Sequence, residues 1–155
     1  MGAGKTSVAQ RVAAALGRRL RDSDPDLRER YGLTAAEQVA RDGVEVLHER
    51  EAHHLRQALA ERPPPVIAAA ASVVDDPASR AALATAFVVW LHAPTWVLAQ
   101  RMRDGDHRPH YDADLARMLA DQQRRRERWF RAVADLTVDV SVTAPEDVAH
   151  RVLEA

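Results

Sequence analysis

Cysteine is absent from all 155 residues. Disulfides and thiolate metal sites are therefore excluded, and a reducing compartment suits the chain. Long apolar runs are missing too: none approaches the ~18 residues of a membrane-spanning helix, so no membrane partner is expected. Neither sign of charge is in excess, since 22 basic and 23 acidic residues leave a formal net charge of −1. That balance offers no attraction to nucleic acid or to an anionic membrane surface. Arginine greatly outnumbers lysine, so a basic cluster discriminates little here. The N-terminus carries no signal-peptide pattern. With 46% hydrophobic and 29% charged residues, the expectation is one globular domain, residues 1–155, in the cytoplasm.

What is present begins at once. In Met1-Gly2-Ala3-Gly4-Lys5-Thr6-Ser7, the residues Met1 to Thr6 match the last six of the eight positions of Gly, four residues, Gly-Lys-Ser/Thr, a phosphate-binding loop. Gly2 and Gly4 allow positive φ and a close backbone approach. Successive N–H groups then converge on anionic oxygens at a helix N-terminus. In this motif Lys5 reaches the β- and γ-phosphates, and the Thr6 hydroxyl takes Mg²⁺. The leading glycine and the strand entering it are not in the chain. The expectation is a start about ten or more residues earlier, one strand and a turn, with Met1 an internal methionine of the loop.

Helical and extended signals alternate along the rest. A helix is predicted over 6–16, stopping at Gly17, with a short strand near 19–21. Asp24 before Pro25 predicts a helix cap with proline in the first turn. Thr34 and Glu37 form a capping box for a helix to about Arg41. Beyond Gly43 a helix runs to about Glu61. Strands follow at 66–69 and, most clearly, at 87–91, which is apolar on both faces and so predicted central and parallel. Pro94 opens a helix to Arg103. Residues 104–113 are polar and read as a mobile lid. A long helix covers 113–134, a last strand 136–140, and Pro145 opens a terminal helix. The alternation implies a three-layer α/β/α sandwich with a parallel sheet. On the long helix, Leu115, Met118, Leu119, Trp129 and Val133 form one stripe, and Arg126 falls on it while Arg124 and Arg128 point away. An inward arginine needs an anion, either a ligand's or an internal carboxylate.

The order of these motifs resembles the shikimate kinase family, small P-loop kinases, over nearly the whole chain. The resemblance rests on the loop at 1–6, Asp22-Ser23-Asp24, the lid pair Arg108-Pro109, and Arg126 to Phe130 followed by Ala134-Asp135. It implies a sheet of order 2-3-1-4-5, here without its central first strand. It also implies ATP- and Mg²⁺-dependent transfer of the γ-phosphoryl group to a hydroxyl of shikimate or a related hydroxy acid, by a monomer. Position by position, Lys5 and Arg108 stabilise the moving phosphoryl group, and Asp24 orients the acceptor hydroxyl. Gly2 to Ser7 cradle the nucleotide, with Pro145 and either Arg101 or Arg103, taken as Arg103, near adenine. Thr6 and Asp22 hold Mg²⁺. Asp24, His48, Glu51, Ala70, Ala71, Ser72 and Arg126 line the acceptor site.

The acceptor site departs from the family pattern. His48 stands where the family has an arginine, and Arg50 lies on another helix face. Ala70-Ala71-Ser72 replaces three glycines, so any position there needing positive φ would be strained. His110-Tyr111 replaces two leucines after the lid. The phosphate-handling residues Lys5, Thr6, Asp22 and Arg108 are kept. The same departures also fit a second reading, a nucleotide-binding relative with impaired or no catalysis.

Overall fold

A computed structural model describes residues 2–103 and 115–155. Helix α1 (Lys5–Leu16) runs from the glycine loop and ends at Gly17, whose φ of 60° closes it. After β1 (Leu20–Asp22) come α2 (Ser23–Tyr31), α3 (Ala35–Asp42) and α4 (Val44–Ala60). The capping box of Thr34 and Glu37 opens α3 as predicted. Next are β2 (Val66–Ala68), a 3₁₀ turn (Ala71–Asp75) and α5 (Pro77–Leu83). The chain closes with β3 (Val89–His92), α6 (Thr95–Arg103), α7 (Leu115–Val133), β4 (Leu136–Asp139) and α8 (Pro145–Glu154). Pro145 occupies the first turn of α8, as expected.

Among the described residues, two parallel pairs of strands form two separate sheets. β1 pairs with β2, Leu20 opposite Val66, and β3 pairs with β4, Val89 opposite Leu136. No strand among the described residues joins β2 to β3. The two pairs correspond to neighbours 2-3 and 4-5 of the expected order.

Alternation along the strands separates two cores. Val66, Val89, Leu91 and Leu136 turn to Val8 and Val12 of α1 and Val148 and Ala149 of α8. Ile67 and Val88 turn the other way, to Leu55 of α4, Leu83 of α5, and Trp129 and Val133 of α7. Helices thus cover both faces. The stripe on α7 is seated by its aromatics. Arg80 lies 3.9 Å over Trp129, and Phe130 stacks on Trp90 at 5.3 Å.

Between β2 and β3 lies a cavity of about 840 Å³, lined from both strands and from α1, α4 and α7. A strand apolar on both faces is ordinarily buried in a parallel sheet. Here all four residues of β3 are only half-buried, because one edge opens on this cleft.

Candidate active site

The loop before α1 is held open by its glycines. Gly2 and Gly4 have φ of 71° and 76°, in the left-handed region. A Cβ on Gly2 would lie 2.9 Å from the Leu98 carbonyl oxygen, so only glycine fits beneath α6. Lys5 and Thr6 begin α1, where the amides of a helix N-terminus and the helix dipole favour anions.

The Thr6 hydroxyl donates to Asp22 Oδ2 at 2.6 Å, joining the loop to the end of β1. Asp22 is buried, and its other oxygen accepts from the Asp24 amide at 3.3 Å. Asp22, not Asp24, is therefore the cap of α2, which begins at Ser23. The expectation of a cap at Asp24 fails because the aspartate nearer the loop is oriented by Thr6 and meets the helix first. Asp24 sits instead, exposed, in the first turn. A hydroxyl and a carboxylate side by side are hard oxygen donors of the type Mg²⁺ prefers. Two such ligands leave the remaining positions to water and phosphate, the usual arrangement for this ion.

The residues expected to face an acceptor come from α4, the 3₁₀ turn and α7. Arg126 is 7% exposed, as its place on the stripe predicts. Its partner is the carboxylate of Asp75, with Nη2 2.7 Å and Nε 2.8 Å from Oδ2. Nη1 faces Gln122 Oε1 at 3.5 Å. Sequence reasoning asked for an anion here but had no signal for Asp75, which lies 51 residues away.

Glu51 is buried and accepts a short hydrogen bond from the Ser72 hydroxyl. Burial raises its carboxyl above the ordinary value, and it lies within electrostatic reach of Asp24, Arg126 and Lys5. Ser72 thus gives Glu51 a partner that glycine could not. No strain attends the loss of glycine, since Ala70 has φ −64° and no described non-glycine residue has positive φ. The chain turns here through ordinary backbone space.

His48 is half-buried rather than a surface residue. Burial, then the charge of Arg126, lowers its pKa, so at neutral pH the imidazole is uncharged. Arg50 does not stand in for a lost arginine. It pairs with Asp42 at 2.8 Å, bonds Gln38 at 2.9 Å and lies 4.2 Å over the Tyr31 ring. Hydrogen bonds from Arg41 and then Arg50 hold the Asp42 carboxyl down to about 2.

Ala3, Lys5, Ala70, Ala71 and Arg126 line the same cavity, whereas Thr6, Asp22, Asp24, His48, Glu51 and Ser72 do not. Arg101 donates to the Val140 and Ser141 carbonyls at 2.7 and 3.2 Å, just ahead of Pro145. The side chain of Arg103, and Arg108, Pro109, His110 and Tyr111 of the lid, lie outside the described residues.

Glu51 supplies a prediction. Its raised pKa means that the folded chain keeps a proton which the unfolded chain releases above 4.5. The associated stability is present below that value and is lost as pH rises through the folded pKa. Glu51→Gln keeps an acceptor for Ser72 and removes the charge. It is expected to flatten the fall in melting temperature between mildly acidic and neutral pH. At neutral pH the variant melts about 2–4 °C higher, the equivalent of roughly 1 kcal/mol, as read by circular dichroism.

Three comparisons complete the description. A family model for shikimate kinase matches residues 1–155. Shikimate kinase 2 of Pectobacterium carotovorum is 33% identical over 158 residues, covering 99% of this chain and 90% of the relative. The structure of Acinetobacter baumannii shikimate kinase in complex with shikimate superposes with a TM-score of 0.90 at 28% identity, covering 99% of this chain and 87% of that one. Bacteroides thetaiotaomicron shikimate kinase shares the fold, with a TM-score of 0.87 at 22% identity, covering 99% and 92%. With the family model spanning the whole chain and a curated relative 33% identical, the chain belongs to the shikimate kinase family.

Proposed function

We propose that this chain transfers the γ-phosphoryl group of ATP to a hydroxyl of shikimate or a closely related hydroxy acid. The observation that carries the reading is the Thr6–Asp22 hydrogen bond at the head of α1, next to Lys5, which lines the same cavity as buried Arg126. The loop from Gly2 to Ser7 binds the phosphates, and Pro145 and Arg103 border the adenine. Thr6 and Asp22 would hold Mg²⁺, whose charge offsets that of the β- and γ-phosphate oxygens. Lys5 and Arg108 stabilise the equatorial oxygens of the moving group. Asp24 orients the acceptor hydroxyl and accepts its proton. Glu51 with Ser72, His48, Ala70, Ala71 and Arg126 surround the acceptor. The active form is a cytoplasmic monomer with no nucleic-acid or membrane partner.

Neutral His48 makes no two-pronged contact to a carboxylate. One such contact is worth on the order of 2–3 kcal/mol, so acceptor affinity is expected to be modest while chemistry is retained. The test is coupled ADP release with shikimate and with a panel of hydroxy acids and polyols. Acceptor-dependent turnover, greatest with shikimate, is expected. ATP consumption unaffected by every acceptor would overturn the proposal.

A further inference from the structure

Arg126 is the cation that an acceptor's carboxylate would meet, and it is already engaged. Asp75 spans its Nε and Nη2 with a single oxygen, at 2.8 and 2.7 Å. The neighbouring Nη1 is turned to Gln122 at 3.5 Å. A bound carboxylate ordinarily uses two parallel N–H groups of a guanidinium, one for each oxygen. Here one edge of the fork is filled, and the positive charge that would attract the ligand is offset.

The two partners differ in freedom. The Arg126 side chain is 9% exposed and Asp75 is 44% exposed. Asp75 sits at the end of the 3₁₀ turn that follows Ala70, at the rim of the acceptor wall. It can rotate into water with little desolvation to recover, whereas the arginine is fixed by its burial. Of the other charged groups around this cluster, Arg125 acts on His48 and Lys5 acts on Glu51, and neither forms an ion pair with Asp75. His48 is uncharged at neutral pH, and Glu51 is a carboxyl.

We infer that Asp75 is a specificity-determining residue of the acceptor site, an internal carboxylate that competes with the acceptor's carboxylate for Arg126. The inference rests on the reading of Arg126 as the acceptor's anion contact. Binding a carboxylate acceptor then exchanges one ion pair for another, and its net gain is small. Uncharged acceptors do not incur this exchange, so Asp75 narrows the preference for acids over neutral polyols.

The test compares Asp75→Asn, Asp75→Glu and Arg126→Ala in the full chain, with shikimate and with its uncharged methyl ester. Steady-state kinetics and NMR saturation-transfer titration report acceptor affinity, and a thermal melt checks folding. Asp75→Asn keeps an oxygen for Nε but loses the charge. It is expected to tighten shikimate roughly three- to tenfold, a Coulombic gain discounted for solvent exposure. The ester's affinity and the KM for ATP stay within twofold of the parent, and Asp75→Glu behaves as the parent. A residue that merely positioned Arg126 would give the opposite result, with shikimate weakened or unchanged in Asp75→Asn, and that outcome overturns the inference. If Arg126→Ala weakens shikimate while Asp75→Asn fails to tighten it, competition alone is wrong. If Arg126→Ala leaves shikimate affinity untouched, the reading of Arg126 fails, and the inference with it.

Discussion

Lys5→Ala is expected to lower the rate of phosphoryl transfer by about 10²–10³-fold, the usual loss on removing one preorganised charge from a transition state. Lys5 is the only lysine in the chain, beside arginines that make up the rest of the 22 basic residues. It is also the first residue of α1, after two left-handed glycines. A compact ammonium on a flexible stem can follow the phosphoryl group as charge builds on its oxygens, where a planar guanidinium is longer and forked. Lys5→Arg is therefore expected to restore little of the loss. Because much of ground-state nucleotide binding comes from loop amides, the KM for ATP should rise far less than kcat falls. Single-turnover measurement with saturating shikimate separates the two. The solitary lysine adds a direct readout. Acylation by an amine-selective reagent, located by mass spectrometry, should mark Lys5 and be suppressed by Mg·ATP. A variant that keeps turnover within tenfold of the parent, or labelling indifferent to Mg·ATP, would remove Lys5 from the mechanism.

Elements with local signals were legible in the sequence. Gly-Lys-Thr and Gly17 bound α1 within a residue, and Thr34 with Glu37 locate α3. The stripe on α7 foretells that Arg126 is buried and that Arg124 is exposed. Helix α5 escaped the sequence reading although Asp76 caps it and Pro77 opens it. It has only seven residues, too few for an apolar stripe to stand out. Other details depend on tertiary context. Which aspartate caps α2 is decided by Thr6, 16 residues upstream of Asp22. Whether Ala70 to Ser72 is strained depends on where the chain goes next, and it enters a 3₁₀ turn with negative φ at Ala70. The Arg126–Asp75 pair obeys no spacing rule at all. For the same reason the candidate phosphate loop was named residue by residue from its motif, while Arg126 could be read only as a demand for an anion.

The vacant place between β2 and β3 carries the second large effect. The 155-residue chain alone is expected to bind the apolar dye ANS and to melt at a low temperature, because the cleft leaves β-edges unpaired and apolar side chains half-buried. A strand supplied there would have apolar groups to meet on both faces, and Ala3 already stands at the cleft, where such a strand would hand over to α1. Right-handed strand-to-helix connection suits this entry. Burying about five Val or Leu side chains contributes roughly 1.5–3 kcal/mol each. Ordering those residues costs about 1–2 kcal/mol apiece. The difference is a few kcal/mol, which at 2–4 °C per kcal/mol corresponds to a melting temperature higher by about 10 °C. Fusing a five-residue Val/Leu strand and a short turn ahead of Gly2 should produce that rise and suppress ANS fluorescence. A Gly/Ser extension of equal length should do neither. Equal melting of the two fusions, with dye binding unchanged, would mean that the cleft is stable as an open cavity. In that case the wall of the cleft itself would have to account for the half-buried β3.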